Sequence, residues 1–188
     1  QVPMFVSGAW QDEQTGSGFV TLLKSLPKRR DVRIMLTNGV HSSPMEPEGL
    51  WQWIAFLDLY VGKKFPNPDR LASIASVIYE QILGPGAPTP PLPPDRFAGA
   101  NGYEDAKRQF EAEPRVRVLM ENGAGSSTPG LPAPRFELGF EKWPPPGARQ
   151  TAWYFGPGGT LSKYKSAVDG FDSYNPDPEA RPMQTIPG

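Results

Sequence analysis

Cysteine is absent from the 188 residues of this chain, and histidine occurs only once, as His41. Without cysteine there is no disulfide framework, no thiolate metal site and no cysteine nucleophile. The sequence also lacks an apolar run near 18 residues and a pattern typical of a signal peptide, so we expect no association with a membrane. These absences leave the compartment undecided, because cytosolic and secreted proteins can both lack cysteine.

An excess of charge of either sign is also missing. The formal net charge is -1, and the lysines and arginines are scattered along the chain. We therefore expect no nucleic-acid partner, since no basic field would attract a polyanion. Proline is abundant instead. The chain contains 24 prolines among its 188 residues, well above the average share of about 5%. Much of the chain must therefore consist of turns, strand edges and irregular connections. The hydrophobic content of 38% allows only a small core for a chain of this length.

The first 41 residues predict a strand, a helix and a second strand. Residues 2–8 are an apolar run that ends at a glycine, and residues 32–40 are a second such run, so both are typical of buried strands. Residues 16–27 have helical apolar spacing and end at a proline. Asp12 and His41 then follow the carboxyl ends of neighbouring parallel strands, where open α/β sheets place ligands and catalytic groups.

An aspartate beside a histidine has a specific chemical use. The carboxylate fixes the tautomer of the imidazole and stabilises the imidazolium, and the second ring nitrogen can then take a proton from a nucleophile. The chain contains no G-x-S-x-G nucleophile elbow. Each residue also has a simpler interpretation, because Asp12 could cap the following helix and a lone histidine after a strand is ordinarily a surface residue.

Several stretches, taken in order along the chain, resemble one family of enzymes. The segment GAWQDEQTG (8–16) is similar to the aspartate segment of the cocaine esterase and Xaa-Pro dipeptidyl-peptidase family of serine hydrolases, and TNGVHSSP (37–44) to its histidine segment, although the usual aromatic residue before the histidine is missing. The stretch 143–162 resembles the entry to the carboxyl-terminal jelly-roll domain of that family. A divergent version of the following aspartate-proline segment is found at 172–188.

The resemblance implies a function and a set of roles. His41 would be the general base and then the general acid, Asp12 would orient it, and Trp10 would line the acyl pocket unless it is simply a packed aromatic residue. The serine and the oxyanion hole would lie upstream, so we expect the chain to be part of a longer hydrolase and inactive alone. The substrate would be a small ester or peptide, with no cofactor and no metal. The oligomeric state is left open.

The rest of the chain predicts helices followed by strands. The expected fold class is α/β followed by all-β: residues 1–66 as the last part of an α/β-hydrolase core, 67–114 as a helical and proline-rich connection, and 115–188 as the start of a jelly-roll β-sandwich. The periodicity predicts helices at 47–64, 67–84 and 103–113, an extended polyproline segment at 85–94, and strands at 116–122, 135–143 and 151–156.

Two other functions remain open at this point. The jelly-roll part could be a non-catalytic binding or interaction module with the α/β part as its scaffold, since a fold does not determine a function. Less directly, the proline-rich residues 85–94 could serve as an adaptor segment that docks into an aromatic groove.

Overall fold

The computed structural model describes residues 2–86, 91–127, 133–176 and 178. The described chain divides into two units, the first ending at Pro146 and the second beginning at Gly147. The fold is mixed α/β, with an open four-stranded sheet and four helices in the first unit and a small antiparallel hairpin in the second. None of the helices in the described ranges has both the length and the apolar character needed to cross a membrane.

The four-stranded sheet is mixed in strand direction. Strands β1 (Met4–Ala9), β2 (Val32–Thr37) and β3 (Val116–Met120) run parallel in that spatial order, and β4 (Phe136–Phe140) pairs antiparallel with β3. Every residue of β2 is buried, as the sequence predicts for a strand enclosed on both faces. Strand β1 is only half-buried, and its outer edge pairs with no strand among the described residues.

The connection between β1 and β2 contains less helix than the sequence predicts. A 3₁₀ turn at Ser17–Phe19 leads into α1 (Val20–Leu23), a single helical turn, where the periodicity indicated residues 16–27. Gly16 precedes the 3₁₀ turn with a φ of 69°, a left-handed conformation that a helix cannot contain. The short helix still buries Leu23 against Ile34 and Leu36 of β2.

Three longer helices cover the sheet, and the sequence predicts each of them. Helix α2 (Pro47–Leu57) begins with proline at its first position and continues as a π turn at Asp58–Gly62. Helix α3 (Pro68–Leu83) is capped by the side chain of Asn67, which accepts a hydrogen bond from the Asp69 amide at 2.9 Å. Helix α4 is Tyr103–Ala112. The main core beneath these helices includes the buried rings of Trp51, Tyr79, Phe97 and Phe110.

The boundary between the units lies later than the sequence predicts. Strands β3 and β4 belong to the sheet of β1 and β2, because Val116 pairs with Ile34 and Phe140 with Val116. The first unit therefore continues to Pro146. The strand-rich pattern of the sequence after residue 114 instead predicted a boundary at residue 115. Within the predicted polyproline segment at 85–94, residues 87–90 lie outside the described residues.

The second unit is a small hairpin with an exposed surface. Strands β5 (Tyr154–Gly156) and β6 (Thr160–Ser162) pair antiparallel. The turn between them contains Gly158 and Gly159, with φ values of 69° and 72°. Their amides donate hydrogen bonds to the Asp172 carboxylate at 3.3 and 3.1 Å. Of the predicted segment 172–188, residues 177 and 179–188 lie outside the described residues.

Candidate functional site

The structure brings Asp12 and His41 into direct contact. The Asp12 Oδ2 atom lies 2.9 Å from the His41 Nδ1 atom. Strands β1 and β2 end in register at Ala9 and Thr37, so the chain leaves both strands at the same edge of the sheet. Two more backbone hydrogen bonds continue the pairing beyond the strands, from Trp10 N to Thr37 O at 3.1 Å and from Gln11 N to Gly39 O at 3.0 Å.

A turn at residues 10–16, here called the acid turn, holds the Asp12 carboxylate. Its Oδ1 atom accepts hydrogen bonds from the Gln14 and Thr15 amides, both at 2.8 Å, and Oδ2 accepts one from Thr15 Oγ1 at 2.7 Å. The Thr15 amide, the Thr15 hydroxyl, His41 and the Gln14 amide together hold the pKa of Asp12 far below its ordinary value. Asp12 therefore caps its own turn and binds His41 with the same carboxylate.

The hydrogen bond to Asp12 determines the tautomer of the histidine. A carboxylate ionised at neutral pH can only accept, so the proton resides on His41 Nδ1 and the Nε2 atom is left as an acceptor. The His41 side chain is 44% exposed, whereas that of Asp12 is 9% exposed. His41 is thus an oriented, accessible base. When it takes up a proton, the neighbouring Asp12 carboxylate balances its positive charge.

Glu13 has a role that the sequence did not indicate. Its Oε2 atom accepts a hydrogen bond from the backbone amide of His41 at 3.2 Å. From the sequence, Glu13 is only a neighbour of Asp12 that could be mistaken for the orienting acid. The structure separates the two carboxylates, because Asp12 binds the imidazole while Glu13 binds the backbone of the same residue. Only adjacency to Asp12 could have drawn attention to Glu13.

Trp10 is half-buried at the start of the acid turn. Its ring centroid lies 6.1 Å from that of Trp143, and both rings pack on the small core formed by Leu23 and the strands. Two of the stretches that resemble the hydrolase family, 8–16 and 143–162, therefore meet at this pair of indoles. The packing accounts for Trp10 as a structural residue, and its place in an acyl pocket stays a prediction.

The serines next to His41 are poorly suited to be its nucleophile. Ser43 is 2% exposed, and its Oγ atom accepts a hydrogen bond from the Val40 amide at 3.0 Å. It lies in a 3₁₀ turn, Ser43–Met45, rather than in a strand-to-helix elbow. Within the described ranges, no group of three or more histidine or acidic side chains is arranged to hold a metal ion.

No protein-family model, curated protein or solved structure matches the chain.

Proposed function

We propose that this chain is the carboxyl-terminal part of a serine hydrolase similar to the cocaine esterase and Xaa-Pro dipeptidyl-peptidase family. The observation that carries the proposal is the 2.9 Å contact between Asp12 Oδ2 and His41 Nδ1 at the carboxyl ends of two adjacent parallel strands. In this proposal the first unit completes an α/β-hydrolase core, and the second unit begins a jelly-roll domain.

The proposed reaction is acyl transfer through a serine outside this chain. His41 Nε2 removes the hydroxyl proton as the serine oxygen attacks the carbonyl carbon of an ester or peptide substrate, and Asp12 stabilises the resulting imidazolium. The imidazolium then gives that proton to the leaving alcohol or amine as the carbon–heteroatom bond breaks. Water, deprotonated by the same nitrogen, releases the acid product and restores the serine. These steps require no cofactor.

The half-buried β1 strand supports a serine that comes from preceding residues. In α/β-hydrolases the order along the chain is nucleophile, acid, histidine, and the nucleophile lies on a strand-to-helix turn at the top of the same sheet. Strand β1 has an edge that pairs with no strand among the described residues, and Phe5 and Val6 on it are only partly buried. A further parallel strand at this edge would bring a serine elbow to the end of the sheet that holds His41.

The test uses a longer parent chain and a fluorophosphonate probe of activated serines. We expect the parent to be labelled, and the labelling rate to fall roughly 10³- to 10⁴-fold in His41→Ala and in Asp12→Asn, the second because the imidazole loses its orienting acceptor. The exposed Asp169→Asn is the matched control and should react like the parent. A folded parent that is not labelled would remove the hydrolase proposal.

A second candidate, a binding module, is favoured by one observation. The second unit exposes large aromatic rings, with Phe155 at 89%, Phe171 at 93% and Tyr174 at 85%. Exposed apolar patches of this kind mark surfaces that contact other molecules. If the parent fails to react with the probe, this surface becomes the leading functional feature, and the α/β unit becomes its scaffold.

A further inference from the structure

We infer that Asn122 and Ser43 form a positioning pair that holds His41 in register with Asp12, so that the chain after β3 is a third component of the site. The inference rests on the proposed function and adds to it two positioning residues. Neither residue belongs to the segments that orient the carboxylate, and Asn122 lies outside every stretch that carries the family resemblance.

The pair binds residues 38–42, here called the histidine loop, from the side opposite the acid turn. The Asn122 amide nitrogen Nδ2 donates a hydrogen bond to Ser43 Oγ at 2.9 Å, and the Asn122 backbone amide donates to Asn38 Oδ1 at 3.1 Å. The Asn38 backbone amide donates to Leu119 O, at the end of β3, at 3.2 Å. The histidine loop is thus fastened to the chain that follows its neighbouring strand.

Ser43 transmits this contact to the residue before His41. Its Oγ atom accepts from the Val40 amide at 3.0 Å, while its own amide donates to Val40 O at 3.0 Å. One buried hydroxyl therefore receives donors from Val40 and Asn122, and the cost of leaving such donors unpaired keeps the two in place. Val40 and Ser43 cannot move away from β3 together without breaking the bond from Asn122.

The packing around Gly39 shows how closely the loop approaches the pair. A Cβ atom added to Gly39 would lie 2.1 Å from Ser43 Oγ and 2.8 Å from Asn122 Nδ2. These distances are far shorter than van der Waals contact, so the position accepts no side chain. The glycine allows the loop to lie directly on the side chains of Ser43 and Asn122.

The position of His41 depends on hydrogen bonds rather than on core packing. Its side chain is 44% exposed, so core packing does not determine where the ring lies. From the β1 side the loop is held by Glu13 Oε2 and by the Gln11 amide, and from the β3 side by Asn122 and Ser43. Loss of the bond between Asn122 and Ser43 leaves the β3 side with only the contacts of Asn38, at the start of the loop. The part of the loop next to His41 can then shift, and small displacements of a catalytic group are costly in rate.

Nuclear magnetic resonance on the chain itself tests the placement of the ring, because the single histidine gives one set of imidazole signals. In the wild type we expect a protonated Nδ1 whose hydrogen exchanges slowly. In Asn122→Ala and in Ser43→Ala we expect that exchange to be about tenfold faster or more. The double variant should resemble Ser43→Ala, since that variant already loses the bond from Asn122 together with the bond from the Val40 amide. The exposed Asn101→Ala is the matched control and should leave the signal unchanged.

Kinetics on the longer parent test the consequence for catalysis. We expect Asn122→Ala to lower kcat by up to about 100-fold with KM changed little, because the base is displaced while the substrate contacts remain. Asn122→Asp, which keeps the shape but removes the amide donor, serves if the alanine variant does not fold.

The outcomes separate the inference from the proposed function. A lower melting temperature with unchanged Nδ1 exchange and unchanged kcat in both Asn122 variants would show a purely structural role and overturn the inference. Faster exchange in the Asn122 and Ser43 variants, together with a parent that the fluorophosphonate does not label, would refute the hydrolase while leaving the positioning of His41 established.

Discussion

Glu46 is a buried carboxyl group that the proposed reaction does not use. It lies at the start of α2, is 1% exposed, and neither of its carboxylate oxygens has a hydrogen-bond partner among the described residues. Burial, and secondly the charge of Glu48, raises the pKa of Glu46 from 4.5 to about 8. The Tyr79 ring also packs in this region, and its hydroxyl donates to Met45 O at 2.9 Å.

This raised pKa predicts a pH-dependent stability. Between about pH 4.5 and pH 8 the folded chain holds the Glu46 proton that the unfolded chain releases, so the free energy of unfolding falls as pH rises through this window. Glu46→Gln should remove that slope and stabilise the chain at pH 8 by a few kcal/mol, since one unit of pKa shift is worth about 1.4 kcal/mol. Urea unfolding at pH 5 and pH 8 measures both values.

The control for this prediction is Glu80→Gln, an exposed glutamate on α3. It should change the free energy of unfolding little at either pH. An equal destabilisation of Glu46→Gln at both pH values would contradict the prediction, because it would mean that Glu46 is ionised in the folded chain throughout.

At the scale of elements, Gly8 sets how closely the chain after the acid turn packs on β1. A Cβ atom at Gly8 would lie 2.4 Å from Cε2 of Phe19, the residue just before α1. Gly8→Ala should therefore destabilise the fold by about 1 to 3 kcal/mol, the usual cost of overpacking. Thermal unfolding measures the loss. Gly18→Ala, where an added Cβ would meet nothing within 4 Å, should be close to neutral. Equal losses in the two variants would exclude the contact with Phe19 as the cause.

The buried Arg117 joins three elements through ion pairs to two carboxylates that are partly exposed. Its guanidinium is 4% exposed and binds Glu48 of α2 at 2.8 Å, and Glu137 of β4 through both carboxylate oxygens. Arg96 extends the network, pairing with Glu48 and with Glu113, each at 2.8 Å.

Removal of Arg117 should leave Glu48 and Glu137 with Arg96 as their remaining partner. We expect Arg117→Ala to cost about 1 to 3 kcal/mol, the range for hydrogen bonds to charged groups, and Arg117→Lys to cost less because it keeps the charge but loses the forked geometry. Urea unfolding measures the free energy of unfolding of the two variants and shows which is the less stable. Arg108→Ala, at a side chain that is 70% exposed, should cost little. A lysine variant as unstable as the alanine variant would show that the forked geometry matters more than the charge.

The sequence predicted local elements better than their assembly. The apolar periodicity located β2, α2, α3 and α4 because each is a regular pattern within a few turns or one strand. It could not show that β3 joins β2, since that pairing links residues about 80 positions apart and depends on which edge is free. The short α1 was overpredicted because apolar spacing reveals neither the positive φ of Gly16 nor the 3₁₀ geometry of Ser17–Phe19.

The candidate site could likewise be predicted only in part from the sequence. Asp12 and His41 could be placed together because parallel strands end at one edge, and that argument needs no side-chain detail. Glu13, Ser43 and Asn122 could not be found this way, because their contacts are with the backbone and loops of distant segments. Hydrogen bonds of this kind have no periodic signature in the sequence.

At the scale of the whole molecule, burial is confined to the first unit. None of the described residues from Gly147 onward is buried, whereas the first unit contains both hydrophobic cores. A chain ending at Pro146 should therefore keep the urea midpoint and the His41 Nδ1 signal of the complete chain. Comparing the two chains by urea unfolding and by imidazole spectra tests this. A midpoint that falls markedly in the shorter chain would show that the second unit stabilises the first.

The parallel pairing of β1 and β2 also bears on the order in which the site is assembled during folding. The contact between Asp12 and His41 closes 29 residues of chain, whereas the contact between Ser43 and Asn122 closes 79. The longer closure costs about 1 kcal/mol more in chain entropy, and it must also wait for α2, α3 and α4 to lie between its ends. We therefore expect His41 to contact Asp12 while β3 is still unpaired. The segment that follows β3 would then stabilise a contact that has already formed.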